Sequence, residues 1–304
     1  MTQELSGKPI AIALNKLAKQ LIEEHQLKPV MILIQAGSDP ASSYYVQSIV
    51  KSGAKLGCEV RLHTLPSEIT EEEFLRYIDQ ANQDDTIHGI MIQKPLPAHI
   101  NDTLVNTRIN PDKDIDALHP VNLGRILQEN EGFLPCTPAA VYYTMQYYGI
   151  DPAQGNVVIL GRSNVVGKPL ANMLLWKRKH ANATVTVCHS RTRNLAAITA
   201  QADVLISAIG KAEFVKADMI KSGAIILDVG INEVIDSTGN PAYVGDVDYQ
   251  ACYAKSKAIT PVPGGIGRIT TSVLFLNLLK AALLSTNVNK SVDEYIDLIL
   301  DENK

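Results

Sequence analysis

The 304 residues predict an α/β protein of two domains, each built on a parallel sheet. Three observations carry that expectation. Short, continuous apolar runs such as "PVMILIQAG" (29–37) and "NVVILG" (156–161) read as strands covered on both faces, and they alternate with segments of helical period. The alternation occurs in two series. The chain is also long enough for two ordinary cores.

Taken in order, "ALNKLAKQLIEEH" (13–25) reads as a helix and 29–37 as a strand ended by Gly37. An Asp39–Pro40 turn leads into a helix over 43–56, followed by a strand over 58–66. Thr70 caps a helix over 70–83 with acids in its first turn, and 87–93 is a strand. In "LPCTPAAVYYTMQYYGI", Thr137 caps a helix, Pro138 lies in its first turn and Gly149 falls just past its end. The second series has strands at 156–161, 183–189, 202–210 and 223–230, with a fifth in "SKAITPVPGG". "KPLANMLLWKRKH" (168–180) reads as one of its helices, and 270–284 as another. The last helix, "SVDEYIDLIL", starts with Ser291 and Glu294 as a capping box. The expected division is 1–140 with the helices of 270–304, against 141–269 as a nucleotide-binding domain.

Composition narrows the function. A net charge of −4 and a pI near 6.0 give no footprint for nucleic acid or an anionic membrane. Four widely spaced cysteines without a CxxC read as reduced thiols of a cytoplasmic protein. The N-terminus has no apolar stretch followed by a cleavage site. The apolar run 272–284 is short for a bilayer and contains Asn277 and Lys280. Seven scattered histidines form no ligand set, and His119 and His189 read as loop or strand-end residues, so no metal is expected.

The chemistry-bearing stretch is "VVILGRSNVVGKP" (157–169), a strand, a glycine turn and a helix. Gly161 permits the tight turn, Gly167 lets the helix approach the strand, and amides at the helix start can hold phosphate. Ser163 stands where a second glycine is usual, so the pattern alone leaves an ordinary βα turn open. At the next strand end, "CHSRTRN" places Arg191 and Arg193 where NAD sites carry an acid, and Arg162 lies in the loop itself. Cations and hydroxyls there favour the 2′-phosphate of NADP, with NAD as the alternative.

Nine stretches in order and spacing resemble the methylenetetrahydrofolate dehydrogenase/cyclohydrolase family nearly end to end. They are "DPAS…YV" (39–46), "GIMIQKPLP" (89–97), "NPDKDIDALHP" (110–120), "PCTP" (135–138), "GRSNVVGKP" (161–169), "CHSRT" (188–192), "DVGIN" (228–232), "VGDV" (244–247) and "TPVPGGIG" (260–267). The resemblance implies a folate-binding domain followed by a Rossmann-like NAD(P)-binding domain, with the C-terminal helices returning to the first, and usually a homodimer. It implies oxidation of 5,10-methylene-tetrahydrofolate and then hydrolysis of the methenyl product to 10-formyl-tetrahydrofolate, as part of one-carbon metabolism. Carried over position by position, Tyr45 packs beside the pterin, Gln93 assists the chemistry, and Asp116 accepts from the pterin's amino and ring N–H groups. Asp112 and Asp114 read as turn residues. Gly161, Arg162, Ser163, Ser190, Arg191 and Ile231 fall at cofactor positions, and Pro261, Pro263, Gly264 and Gly265 form a loop against the ligands.

Four positions depart from the family pattern. Its catalytic lysine follows the motif tyrosine by four residues, and here that position is Ile49. Ala117 replaces a glycine, Arg268 a proline, and Lys94 an apolar residue. Lys51 is two residues on, about 200° round the helix. An isoleucine has no proton to give. The expectation is therefore an NADP-dependent dehydrogenase with a weak or absent cyclohydrolase step. The alternatives are a bifunctional enzyme using Lys94 or Lys51 as substitute base, or a silent folate-binding homologue.

Overall fold

The computed structural model describes residues 1–37, 40–130, 132–153, 155–236, 239–286 and 291–301, without the side chains of 40–44. Asp39, expected to begin the turn into the second helix, lies outside the described residues. The chain opens with β1 (Gln3–Glu4) and α1 (Lys8–Glu24), then alternates β2 (Val30–Ala36), α2 (Pro40–Leu56), β3 (Glu59–Leu65), α3 (Glu71–Gln83) and β4 (Gly89–Ile92). Three helices follow, α4 (Asp102–Arg108), α5 (Pro120–Leu127) and α6 (Cys136–Tyr147). The second series is β5 (Asn156–Leu160), α7 (Gly167–Leu174), β6 (Thr184–Cys188), α8 (Leu195–Thr199), β7 (Val204–Ser207) and β8 (Ile225–Asp228). It ends with β9 (Asn232–Ile235), β10 (Pro241–Val244), α9 (Tyr249–Tyr253), β11 (Ala258–Ile259), α10 (Gly267–Leu284) and α11 (Val292–Asp301).

By contact the chain divides into two units. One comprises Leu14–Pro135 with Thr271–Ile296, the other Met1–Ala13, Cys136–Thr270 and Asp297–Lys304. This grouping differs at both ends from the division expected above. Residues 1–13 join the nucleotide-type unit because β1 pairs with β11, Gln3 opposite Ala258.

The first unit holds a parallel sheet in the order β3-β2-β4. Valine, isoleucine and leucine fill β2, which is buried from Val30 to Gln35, as a strand covered on both faces requires. Ile32, Ile34, Ile90 and Ile92 pack with Phe74 and Ile78 of α3. Thr70 and Glu73 close the start of α3 as a capping box. Its other end is held by Lys113, whose Nζ donates to the carbonyls of Ala81 (3.1 Å), Asn82 (2.9 Å) and Asp84 (2.8 Å). A cation there satisfies carbonyls that lack intrahelical partners and suits the negative helix end. The 18-residue α10 is apolar and long enough to cross a membrane by composition alone, yet 72 % of it is buried inside the protein. It acts as a core helix, and Asn277 donates from it to the carbonyls of Ile115 and Leu134, both at 2.8 Å.

The second unit is a six-stranded parallel sheet in the order β1-β11-β8-β7-β5-β6. β6 lies on one side of β5 and β7 on the other, so the winding reverses at β5. Ligands collect at the carboxyl ends of strands at such a reversal. Two local expectations need correcting. α6 starts at Cys136, so Thr137 lies inside the first turn and is not the cap. α7 stops at Leu174, not His180: the Leu175 and Trp176 N–H groups turn back to the carbonyls of Asn172 and Met173 three residues earlier, and the Leu174 carbonyl accepts from the Ala183 N–H at 2.9 Å. The antiparallel β9–β10 hairpin was not anticipated at all.

Candidate active site

At the ends of β5, β6 and β7 the second unit opens a pocket of about 330 Å³. Its lining comes from Leu160–Ser163, from Cys188–Ser190, and from Ala208, Ile209, Lys211 and Phe214. Gly161 has a φ of +118°, and a Cβ there would stand 2.3 Å from the Ala208 carbonyl oxygen. A Cβ on Gly167 would stand 2.1 Å from the oxygen of Gly161. Only glycine lets this loop lie so close to its neighbours. The Ser163 hydroxyl accepts from the Val166 N–H at 3.0 Å, and α7 starts with no side-chain cap. The positive end of a helix thus follows directly on the pocket-lining loop, as phosphate binding requires. Among the described residues the lining carries Arg162 and Lys211 and no carboxylate.

Of the sequence-predicted cofactor residues, the structure brings Gly161, Arg162, Ser163 and Ser190 to this one pocket. Arg191 is exposed in the adjoining turn, where its N–H donates to His189 Nδ1 at 3.1 Å, and Ile231 is 65 % exposed beyond β8. Neither lines the pocket. A larger hollow of about 570 Å³ over α3, lined by Pro66, Glu68, Arg76 and Tyr77, contains none of the predicted residues.

Two buried acids of this unit were quoted in motifs above but given no role. Asp228 accepts from the N–H groups of Gly230 (3.0 Å), Asp246 (3.1 Å) and Val247 (2.9 Å). Burial pushes its carboxyl up to about 7, against the pull of those N–H donors and with Asp246's charge adding to the rise. Asp246 is wholly buried and accepts from the N–H groups of Ile209, Gly210 and Lys211. The signal available in the sequence was an aspartate between apolar neighbours and glycine, in "LDVG" and "VGDV".

The folate candidates belong to the other unit. Val46, Ile49, Gly53 and Leu56 form the buried face of α2, and Ile49 has no exposure to solvent. Tyr45, next to that face, is 36 % exposed, and Lys51 points to solvent. Gln93 follows β4, its N–H bonded to the Ile34 carbonyl at 2.8 Å and its Nε2 to the Lys94 carbonyl at 2.6 Å. Its Oε1 is buried and has no partner among the described residues. Lys94 is paired with Asp102, Nζ to Oδ1 at 2.5 Å.

Asp116 is half-buried in a loop fixed from several sides. Asp114, 1 % exposed, accepts from the His119 N–H (2.8 Å) and Asn122 Nδ2 (2.9 Å), and burial raises its pKa against those bonds. Asp112 is exposed and 3.6 Å from Arg125. Both organise the turn. His119 caps α5 through its Nδ1. Ala117 is buried at φ +56°, a conformation that suits the glycine it replaces. The loop after β11 lies in the nucleotide unit. There the Gly265 N–H bonds the Pro261 carbonyl (2.8 Å), the Gly7 N–H bonds the Gly264 carbonyl (2.9 Å), and the Val262–Pro263 peptide is cis.

A parallel sheet with a glycine-walled pocket at its reversal defines a dinucleotide-binding α/β protein. The family model "Tetrahydrofolate dehydrogenase/cyclohydrolase, NAD(P)-binding domain" matches residues 135–286, and the catalytic-domain model of the same family matches 5–116. The chain belongs to the tetrahydrofolate dehydrogenase/cyclohydrolase family. It is 42 % identical to the bifunctional protein FolD of Chlorobium phaeobacteroides over 94 % of this chain and 99 % of that one. The crystal structure of the bifunctional enzyme FolD from Campylobacter jejuni matches with a TM-score of 0.86 at 39 % identity, covering 93 % and 99 % of the two chains. The Trypanosoma brucei methylenetetrahydrofolate dehydrogenase-cyclohydrolase, complexed with NADP cofactor and inhibitor, matches at 0.87 and 32 % identity over 94 % and 99 %.

Proposed function

We propose that this protein oxidises 5,10-methylene-tetrahydrofolate to the 5,10-methenyl form with NADP⁺, and that its hydrolysis of the methenyl bridge is weak or absent. Ile49 carries the second half of that reading. The hydrolytic step needs protons moved, work that a positioned acid/base accelerates about 10²–10⁴-fold. A wholly buried isoleucine moves none. Of the two substitutes, Lys94 is engaged by Asp102 and Lys51 faces solvent.

Hydride transfer asks less of a proton carrier and more of placement. The pocket residues fit the group: glycine-walled amides and a helix start for the pyrophosphate, with Arg162, Ser190 and Arg191 nearby for the 2′-phosphate. NADP⁺, when bound there, would supply the hydride acceptor. In the other unit Asp116 accepts from the pterin N–H groups, Tyr45 packs beside the ring, and Gln93 offers its Oε1, buried without a partner among the described residues. We assign the loop of Pro261, Pro263, Gly264 and Gly265 to ligand contact. We carry the homodimer over from the family resemblance and read the cytoplasmic setting from the four widely spaced cysteines.

The second reading is a fully bifunctional enzyme, and the names of the 42 % and 39 % identical relatives favour it. One experiment separates the two. Protein, methylene-tetrahydrofolate and NADP⁺ are mixed, and NADPH and methenyl absorbance are followed together. NADPH with accumulating methenyl product supports the first reading. Methenyl decay faster than in buffer supports the second, and absence of NADPH despite folate binding leaves a silent homologue.

A further inference from the structure

We propose that Asp246 is a positioning residue for the dinucleotide: its carboxylate fixes residues 209–211 as one wall of the pocket and so presents Lys211 to the anionic cofactor. This rests on reading the pocket as an NADP site.

Three consecutive amides converge on this one side chain. Oδ2 accepts from the N–H groups of Ile209 (2.7 Å) and Gly210 (3.2 Å) and from the Ser207 hydroxyl (3.3 Å). Oδ1 accepts from the Lys211 N–H (2.9 Å) and from Asn232 Nδ2 (3.1 Å). Clustered amides of this kind commonly hold a bound anion. Here the anion is the protein's own, so these amides are spent on Asp246. What the loop offers a ligand is therefore its outer surface, the part of Ala208, Ile209 and Lys211 that lines the pocket. Lys211 Nζ lies 5.6 Å over the ring of Phe214, another lining residue.

Asp246 is itself held in place. Its N–H bonds Asp228, its carbonyl accepts from the Val215 N–H at 2.9 Å, and a Cβ on Gly230 would stand 2.2 Å from its carboxyl carbon. The carboxylate cannot swing away without moving the wall. It also places a negative charge behind a pocket meant for phosphates, and the Lys211 cation on the pocket side offsets that field.

NADPH titrated into the full-length chain and followed by its fluorescence tests this with wild type, Asp246→Asn, Lys211→Met and the double variant. Asp246→Asn keeps the volume but turns a donor toward amides, and should weaken NADPH binding about 10–100-fold. Lys211 is exposed, so its variant folds normally and should also weaken binding. The double variant should be little worse than Asp246→Asn alone, because both act through one wall. Amide exchange at 209–211 should accelerate in Asp246→Asn. Wild-type affinity in a cooperatively folded Asp246→Asn, or losses that multiply in the double variant, would overturn the proposal. If Asp246→Asn does not fold, Ser207→Ala takes its place, with weakened binding in support and unchanged binding against. A wild type that fails to bind NADPH at all would instead remove the NADP reading, and this inference with it.

Discussion

In Ile49→Lys the side chain keeps an apolar stem but ends in an amine at a site with no solvent exposure. The cost has a ceiling. Holding a lysine neutral at pH 7 costs about 4.6 kcal/mol relative to its ordinary ionisation, and a charge more costly than that simply gives up its proton. The variant should thus lose up to about 5 kcal/mol of stability to this ionisation cost, read as a fall in the urea midpoint. Burial also draws the amine toward neutrality, the state a general base needs. Methenyl decay should then accelerate about 10²–10⁴-fold, equivalent to about 3–5 kcal/mol of barrier. The assay follows methenyl absorbance after the NADPH signal has levelled, with Ile49→Met as the control that fills the space and carries no proton. A folded, folate-binding Ile49→Lys whose methenyl product decays at the buffer rate would refute the assignment of this position.

Ala117→Gly relieves a left-handed backbone at a buried site and should raise stability by about 1 kcal/mol in urea denaturation; a loss of stability would contradict the strain. Asp228 is raised from its ordinary 3.8 to about 7, so its folded form binds the proton more tightly than the unfolded chain. Its contribution is full below about pH 4 and is lost as pH rises through about 7, a swing of roughly 4 kcal/mol. The stability of Asp228→Asn relative to wild type should therefore improve with pH over that window, and a constant difference would rule this out. Lys113→Met removes the donor to three carbonyls at the end of α3 and should cost about 1–3 kcal/mol, with weaker folate binding because the same loop carries Asp116. Normal folate affinity in that variant would separate the two ends of the loop.

Much of this architecture is legible in the chain because two periods differ so plainly. "VMILIQA", short, β-branched and bounded by Pro29 and Gly37, reads as a strand covered on both faces, and "EEEFLRYIDQANQ" repeats its apolar positions every three to four residues. The glycine turn at 161–167 was legible for the same local reason. What was not legible depends on partners distant in sequence. Gln3–Glu4 is a strand only because β11 arrives beside it more than 250 residues later. Asp246 matters through amides 35–37 residues upstream, which no spacing rule encodes. The early end of α7 comes with tight turns at Leu175 and Trp176 and a Leu174 carbonyl taken by the Ala183 N–H, contacts that propensity alone does not reveal. Ile49 looks like any core residue by pattern, and its burial agrees; only the family motif around it marks what is missing.

The interleaving of the two units has a consequence for synthesis on the ribosome. The unit built from Leu14–Pro135 also needs Thr271–Ile296, and the sheet that β1 edges is not closed until Ala258–Ile259 has been made. Neither unit is complete until nearly the whole chain has emerged, which at about 5–20 residues per second is some 15–60 s. The usual order, first domain folded before the second is translated, is closed to this protein. Its nascent form must hold the apolar strands β2 and β4 without α10 for most of that interval, so truncated products ending before Thr271 should be poorly soluble and drawn to chaperones.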